Sequence, residues 1–220
     1  MPRKNIRQLA SKPLIAWTIE TALSSQCLDR VIVSTEDYRI AEVARTFGAE
    51  VPFMRPLELS QDNSPGIDAV LHAIHWLADH EDYRPEYVML LQPTSPLLSP
   101  EDIQKAIQII QDKQADSVVS VTTAHQHPYW MKTISQDGRL VDFLSMERSY
   151  VRRQDLPTAY ALNGAIYIAR RGVLLERSSF YGDNTLAYVM PPERSLDIDT
   201  PWDFHLAELI LKDNLQHERN

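Results

Sequence analysis

The hydrophobic positions change period along the chain, and the changes mark out its elements. Leu14, Ile15, Trp17, Ile19, Ala22 and Leu23 recur at helical spacing, with Ser11 as a candidate cap and Pro13 in the first turn. Arg30–Ser34 then reads as a short strand, a helix runs to about Phe47 with Gly48 as its C-terminal cap, and Glu50–Arg55 reads as the next strand. A helix over Pro65–His80 carries Ile67, Val70, Leu71, Ile74 and Leu77 on one stripe. Tyr87–Leu91 is an unbroken apolar run, as expected of a strand covered on both faces. Ser99-Pro100-Glu101-Asp102 opens a helix that runs to about Lys113: a capping serine, proline at the first position, then acids at the positive end of the dipole. Strands follow at Asp116–Ala124, Tyr160–Ala169 and Leu186–Met190, with a short helix at Gly172–Arg177. Thr200, Pro201 and Asp203 start a last helix with Phe204, Leu206, Ala207, Leu209 and Ile210 on its stripe. Strand, helix, strand in this rhythm predicts an α/β fold with a mostly parallel sheet, built as one domain over residues 1–220.

Between Tyr129 and Tyr160 the rhythm breaks. A turn at Ser135-Gln136-Asp137-Gly138, the run Arg139–Leu144 and the basic pair Arg152-Arg153 replace it with hairpin signals. Residues 125–160 are expected to form a projecting arm too thin to bury both its faces. Such an arm packs on a second subunit, which predicts a homodimer.

Composition narrows the function. With 30 acidic residues against 22 basic ones the net charge is -8, which argues against a general nucleic-acid binder. The single cysteine, Cys27, excludes a disulfide framework and is expected to be a buried thiol in a reducing compartment. No run has membrane-spanning length and no signal-peptide pattern opens the chain, so a cytoplasmic protein is expected. His72 and His75, three apart, lack an evident third ligand, and His125 and His127 fall in a polar loop.

Chemistry collects at the ends of strands. The apolar run at Tyr87–Leu91 stops at Gln92-Pro93-Thr94-Ser95-Pro96, whose prolines cannot continue a ladder. Ligands of open α/β sheets bind at such carboxyl ends. The Gln92 amide, donor and acceptor together, suits a nucleobase edge there, although an ordinary connecting loop would look the same. Asn163-Gly164, inside a strand pattern, marks either a bulge with close backbone approach or a plain hairpin turn. Near the C-terminus Asp197 and Asp199 alternate with Leu196 and Ile198. On extended backbone that places two carboxylates on one side and two apolar side chains on the other. The pair suits Mg²⁺, which takes one or two acid ligands and completes its shell with water and substrate phosphates. Asp199 has a competing role as cap of the last helix; Asp197 has none.

Taken together and in order, the segments P-R-K-N at 2–5, V-I-V-S-T-E-D at 31–37, R-P-L-E-L at 55–59, L-L-Q-P-T-S-P-L at 90–97, R-Q-D-L-P at 153–157, N-G-A-I-Y-I at 163–168 and S-L-D-I-D-T at 195–200 resemble the acylneuraminate cytidylyltransferases, the CMP-sialic acid synthetases and their relatives acting on bacterial nonulosonic acids. The resemblance implies a Rossmann-like nucleotidyltransferase fold, a three-layer sandwich, and a homodimer exchanging arms. It implies the reaction of CTP with an acidic nine-carbon sugar to give the CMP-sugar and diphosphate, with Mg²⁺ as cofactor. By matching motif, Lys4, Asn5 and Arg55 would contact CTP. Gln92 would contact the sugar in place of a base edge. Arg153 and Gln154, from the arm, and Asn163 would complete the sugar pocket, and Asp197 and Asp199 would hold Mg²⁺.

Four departures stand beside it. Family members carry a buried strand and an A-R-G-G-S-K-G-type phosphate loop before P-R-K-N, whereas Met1 directly precedes that motif here. Leu98 stands where arginine is frequent, Pro65-Gly66 replaces a serine pair, and Ala161 replaces an arginine ahead of N-G-A-I-Y-I. The last change leaves a legionaminic-type or other nonulosonic acid open as substrate. A non-catalytic dimeric relative that binds ligand without turnover is the alternative, and an enzyme for the eight-carbon acid of lipopolysaccharide core is a third.

Overall fold

The computed structural model describes residues 1, 3–61, 64–144, 152 and 155–217. A two-residue strand pair, β1 (Gln8–Leu9) and β2 (Lys12–Pro13), leads into helix α1 (Leu14–Ser24). Then come α2 (Tyr38–Thr46), α3 (Gly66–Glu81), β3 (Tyr87–Leu91), α4 (Pro100–Asp112) and β4 (Ser117–Thr123). The arm contributes β5 (Lys132–Ile134) and β6 (Leu140–Asp142), and β7 (Tyr160–Arg170), α5 (Arg171–Arg177), β8 (Thr185–Val189) and α6 (Pro201–His217) complete the order.

The central sheet runs β3-β7-β4-β8. β3 and β4 both lie antiparallel to β7, and β8 is parallel to β4. Three of the four strands therefore point the same way, as the α/β rhythm predicts, while β7 runs against them and makes the sheet mixed. β7 is the strand that the chain enters from the hairpin arm and not through a crossover helix, so nothing constrains it to the parallel direction.

Alternation along the strands builds three layers. Met89, Leu91, Ile166 and Ile168 pack with Ile103, Ala106 and Ile110 of α4. Val88, Leu90, Tyr167 and Ala169 turn to the other face, against Ile74 of α3 and Leu174 of α5. Tyr87–Leu91 is thus covered on both faces, as its unbroken apolar run requires. The segments expected as strands at 30–34 and 50–55 touch through one parallel bridge, Ile32 to Glu50, and pack on α1 and α2. They do not join the main sheet among the described residues. A cleft of about 750 Å³ separates Val31–Thr35 from the free edge of β3.

Some local expectations change. Pro13, not Ser11, precedes α1, without a side-chain cap. Cys27 is exposed, because it sits in the turn that follows α1 and not on its buried stripe. Gly164 lies inside β7 with φ +73°, and the β4–β7 register shifts between Val119 and Val121, so the bulge is real and the hairpin-turn alternative falls. Leu98, in the arginine position of the resemblance, is buried among Ile103, Ala106 and Met190.

The hairpin β5–β6 forms with its turn where the sequence places it; Gly138 N–H donates to the Ser135 carbonyl at 2.9 Å. It stands out from the body with Ile134 74% and Leu140 73% exposed. Residues 145–151 of the proposed arm, together with Arg153 and Gln154, lie outside the described residues. No described helix is long and apolar enough to cross a membrane.

Candidate active site

Two loops and the start of the chain meet at the carboxyl end of β3. The first loop is Gln92–Leu98. Its fixed points are Ser95 N–H to the Gln92 carbonyl at 3.2 Å and Leu98 N–H to the Ser95 carbonyl at 3.3 Å, one tight turn after another. The second is Pro191–Thr200, which leads into α6. The Ile198 N–H donates to the Thr94 carbonyl at 2.9 Å, so the two loops are tied by main chain.

Ile198 explains the alternation of the acidic segment. Its side chain is fully buried with Leu9, Leu14, Leu97, Phe204 and Leu211. Burying Ile198 turns its neighbours Asp197 and Asp199 away from that cluster. The same cluster anchors the chain start: Leu9 is fully buried, and its carbonyl accepts from Trp17 Nε1 at 3.1 Å. Lys4, on a single 3₁₀ turn over Lys4–Ile6, is therefore held and not frayed. Its Nζ donates to the Ile198 carbonyl at 2.6 Å and stands 3.8 Å from an Asp199 oxygen.

The cap of α6 is filled without Asp199. Asp203 Oδ2 accepts from Thr200 N–H at 2.7 Å, from the Thr200 hydroxyl at 2.8 Å and from Asp199 N–H at 3.1 Å. Those bonds, the Thr200 side chain first, hold the Asp203 carboxyl below its usual range. Asp199's own carboxylate is left in solvent, 77% exposed, with Lys4 beside it.

Asp197 is placed differently. Its Oδ1 is buried and makes no hydrogen bond. Its Oδ2 faces Gly164, where an added Cβ would lie 3.5 Å from it and 3.2 Å from Gln92 Oε1. Gln92, Asp197 and the bare backbone of Gly164 thus converge. A carboxylate oxygen deprived of both water and donors is costly unless a cation pairs with it. The donor set, two carboxylates two residues apart and open on the solvent side, fits a hard divalent cation that brings its remaining oxygens with it. A cluster of three or more such ligands does not occur among the described residues.

Asn163 does not line the opening. Its amide donates to Ser195 Oγ at 3.0 Å and to Met190 Sδ at 3.2 Å, and its carbonyl accepts from Ser120 Oγ at 2.6 Å and Ala165 N–H at 3.3 Å. With 4% exposure and its hydrogen-bonding groups engaged, it ties β7 to the acidic loop. The resemblance assigns Asn163 to the sugar pocket; in the fold its side chain faces Ser120, Met190 and Ser195.

Asn5, Arg55 and Gln92 line the cleft beside β3, at the end where Thr35, Glu36 and Pro93 supply polar groups. Arg55 is fixed from three sides: N–H to the Thr35 carbonyl at 2.9 Å, Nε to Ser60 Oγ at 2.9 Å and an ion pair with Glu36. Burial pushes the Glu36 carboxyl up, but the Arg55 hydrogen bond and charge, together with a backbone hydrogen bond and Ser60, outweigh it and hold the carboxyl below the usual range. Glu36 is a partner that sequence reasoning missed, although it stands in the V-I-V-S-T-E-D segment. Of the predicted residues, Lys4, Gln92, Asp197 and Asp199 come together, and Asn5 and Arg55 join them across Gln92.

The cytidylyltransferase family model matches residues 1–211. A CMP-N,N'-diacetyllegionaminic acid synthase of Legionella pneumophila is 39% identical over 215 residues, which cover 97% of this chain and 91% of that protein. An N-acylneuraminate cytidylyltransferase of Streptococcus agalactiae is 37% identical over 206 residues, covering 93% of this chain and 48% of its own greater length. Among solved structures, a CMP:2-keto-3-deoxy-manno-octonic acid synthetase complexed with CTP superposes with a TM-score of 0.72 at 18% identity, covering 97% of this chain and 93% of that one. A 4-diphosphocytidyl-2C-methyl-D-erythritol synthase gives 0.69 at 14% identity over 94% of each chain, and these two show the fold alone.

Proposed function

The chain belongs to the cytidylyltransferase family, and on that footing we propose that it is a nucleotidyltransferase that joins CTP to an acidic nonulosonic sugar. The two relatives whose names specify CMP-sugar formation support the substrate class, and the higher identity to the legionaminic acid synthase favours an acid of that type over N-acetylneuraminate. Ala161, exposed where sialic-acid enzymes of the resemblance carry arginine, supports the same choice.

In the reaction the anomeric hydroxyl of the sugar attacks the α-phosphorus of CTP. A new P–O bond forms, the bond to the β-phosphate oxygen breaks with its electron pair, and diphosphate leaves as the hydroxyl gives up its proton. Asp197 and Asp199 would hold Mg²⁺; the cation supplies charge neutralisation at the phosphate oxygens. The chain's own residues do the positioning. Lys4, fixed by the Ile198 carbonyl, presents an ammonium where phosphate charge develops. Gln92 offers its amide to the sugar beside Gly164, and Arg55 and Asn5 flank the nucleotide along the cleft. Arg153 and Gln154 would come from the arm to the sugar carboxylate.

The exposed apolar hairpin supports a homodimer, in which a partner covers Ile134 and Leu140. The reaction is placed in the cytoplasm as part of the same proposal. The single observation that carries the reading is the buried, unpartnered Asp197 oxygen set beside Gln92 in a cytidylyltransferase fold. Incubating the protein with CTP, Mg²⁺ and each of N,N'-diacetyllegionaminate, N-acetylneuraminate and the eight-carbon acid, with CMP-sugar detected by mass spectrometry, tests it. Product from the legionaminate in preference is expected; product from none of the nonulosonic acids overturns it.

A further inference from the structure

Asp102 is fully buried, and its carboxyl is paired with the Arg194 guanidinium. It sits in the first turn of α4, directly after the Gln92–Leu98 loop. Its Oδ2 accepts from Ser99 N–H at 3.0 Å and from the Ser99 hydroxyl at 2.9 Å, and its Oδ1 accepts from the Tyr188 hydroxyl at 2.7 Å. Arg194 closes the arrangement with both prongs of its guanidinium, Nε to Oδ2 and Nη2 to Oδ1, each at 2.8 Å. A planar fork on a carboxylate fixes direction as well as distance.

One carboxylate therefore joins three pieces of chain: the helix that ends the Gln92 loop, strand β8 and the acidic loop. Arg194 stands three residues before Asp197. The turn that carries Arg194 is set by Arg194 N–H to the Pro191 carbonyl at 3.1 Å and by Ser195 Oγ to the same carbonyl at 2.8 Å. Beyond it, Ile198 is plugged into its apolar cluster. Asp197 is thus strung between two anchors, one apolar and one ionic, with no helix or strand of its own. For packing alone an apolar pair would serve as well, because a buried ion pair adds little net stability over hydrophobic residues of similar volume. What the fork adds is a defined orientation.

We propose that the Arg194–Asp102 pair is a positioning device that holds Asp197 and Asp199 at the distance from the Gln92 loop needed to take up a divalent cation. The inference rests on the reading of those two acids as the cation site. It assigns Arg194 and Asp102 no contact with substrate.

Mn²⁺, titrated into the full-length protein in the presence of CTP and followed by the electron paramagnetic resonance of the free ion, tests the proposal. Arg194→Lys keeps a charge opposite Asp102 but loses the fork; Arg194→Gln loses both; Asp199→Ala serves as the ligand control. Wild type is expected to saturate and Asp199→Ala to lose saturation. Arg194→Gln should bind Mn²⁺ about tenfold more weakly, the scale of effect known for groups that orient metal ligands. Arg194→Lys should fall between it and wild type, with thermal melts confirming that the titrated protein is folded. If Arg194→Gln does not fold, Arg194→Lys carries the test, since it leaves no unpaired buried charge. A folded Arg194→Lys or Arg194→Gln that melts lower yet binds Mn²⁺ like wild type overturns the proposal and leaves the pair a purely structural tie. A wild type that does not saturate, matched by Asp199→Ala, overturns the cation-site reading and the proposal with it.

Discussion

Lys4 Nζ donates a 2.6 Å hydrogen bond to the carbonyl of Ile198 and stands 3.8 Å from the Asp199 carboxylate. A residue at the very start of the chain is thereby fastened to the loop 194 residues later that carries both acids. The ion pair itself is worth little, because Asp199 is solvated. The backbone bond aims the ammonium, and a fixed positive charge beside developing phosphate charge is where catalysis gains most. Lys4→Ala is expected to lower kcat by about 10²-fold or more while destabilising the fold by only about 1 kcal/mol. Steady-state diphosphate release and a thermal melt, measured together, check the split.

Gly164 makes room for Gln92. At φ +73° any other residue is strained by roughly 1–2 kcal/mol, and a Cβ would press to 3.2 Å from Gln92 Oε1. Gly164→Ala is expected to lower stability by about that amount and to raise KM for the sugar more than KM for CTP, since the contact displaced is the Gln92 amide. Urea unfolding and two-substrate kinetics read the two effects separately.

Asp102 gives the fold a defined acid limit. Burial alone would raise its carboxyl, but Arg194, Tyr188 and Ser99 outweigh burial and hold it below the usual aspartate value of about 4. The Tyr188 hydroxyl is pushed well above its ordinary value, by burial first and by Asp102 next. With a folded value below the unfolded one, the contribution is complete above about pH 4 and is lost as pH falls through the folded value. Glu101 and Arg194 are the other charged groups facing this carboxyl. Asp102→Asn is expected to cost roughly 3 kcal/mol at pH 7, the low end for breaking a buried pair, because Arg194 is 35% exposed. Its stability should also change less than wild type's between pH 5 and pH 3, which denaturant melts at stepped pH would show.

The difference between these residues shows what the sequence can carry. The acids at 197 and 199 are legible because alternation with Leu196 and Ile198 is a local pattern, and the buried Ile198 confirms its physical basis. Gln92 is legible because two prolines stop an apolar strand. Asp102 is legible only as a helix-start acid; its partners Tyr188 and Arg194 lie 86 and 92 residues away, and no local pattern announces them. Asn163 stands out in the sequence through Gly164 beside it, but its partners Ser120 and Ser195 lie 43 and 32 residues away and no local pattern announces them. The direction of β7 is equally hidden, since an apolar strand reads the same in either sense. Lys4 is legible as held close to the fold because Ile6 and Leu9 lead straight into the pattern of the first helix, and Leu9 is fully buried.

The hairpin predicts an assembly. Ile134 and Leu140 are cross-strand partners, 74% and 73% exposed. A pair of apolar side chains so placed is expected to be covered by a second copy of the chain. Leu140→Asp should shift the protein from dimer to monomer in sedimentation velocity with little change in the melting temperature of the monomer, since the side chain is 73% exposed there. A wild type that sediments as a monomer at all concentrations contradicts the arm's role.

The most direct measurement is diphosphate release from CTP and N,N'-diacetyllegionaminate, with and without Mg²⁺, by the wild-type protein and by Asp197→Ala and Asp199→Ala. Mg²⁺-dependent turnover in the wild type, reduced by about 10³-fold or more in either variant with both variants folded, is the predicted result. Turnover that either variant retains in full, or a folded wild type that releases no diphosphate with CTP and any nonulosonic acid, contradicts the assignment of this site.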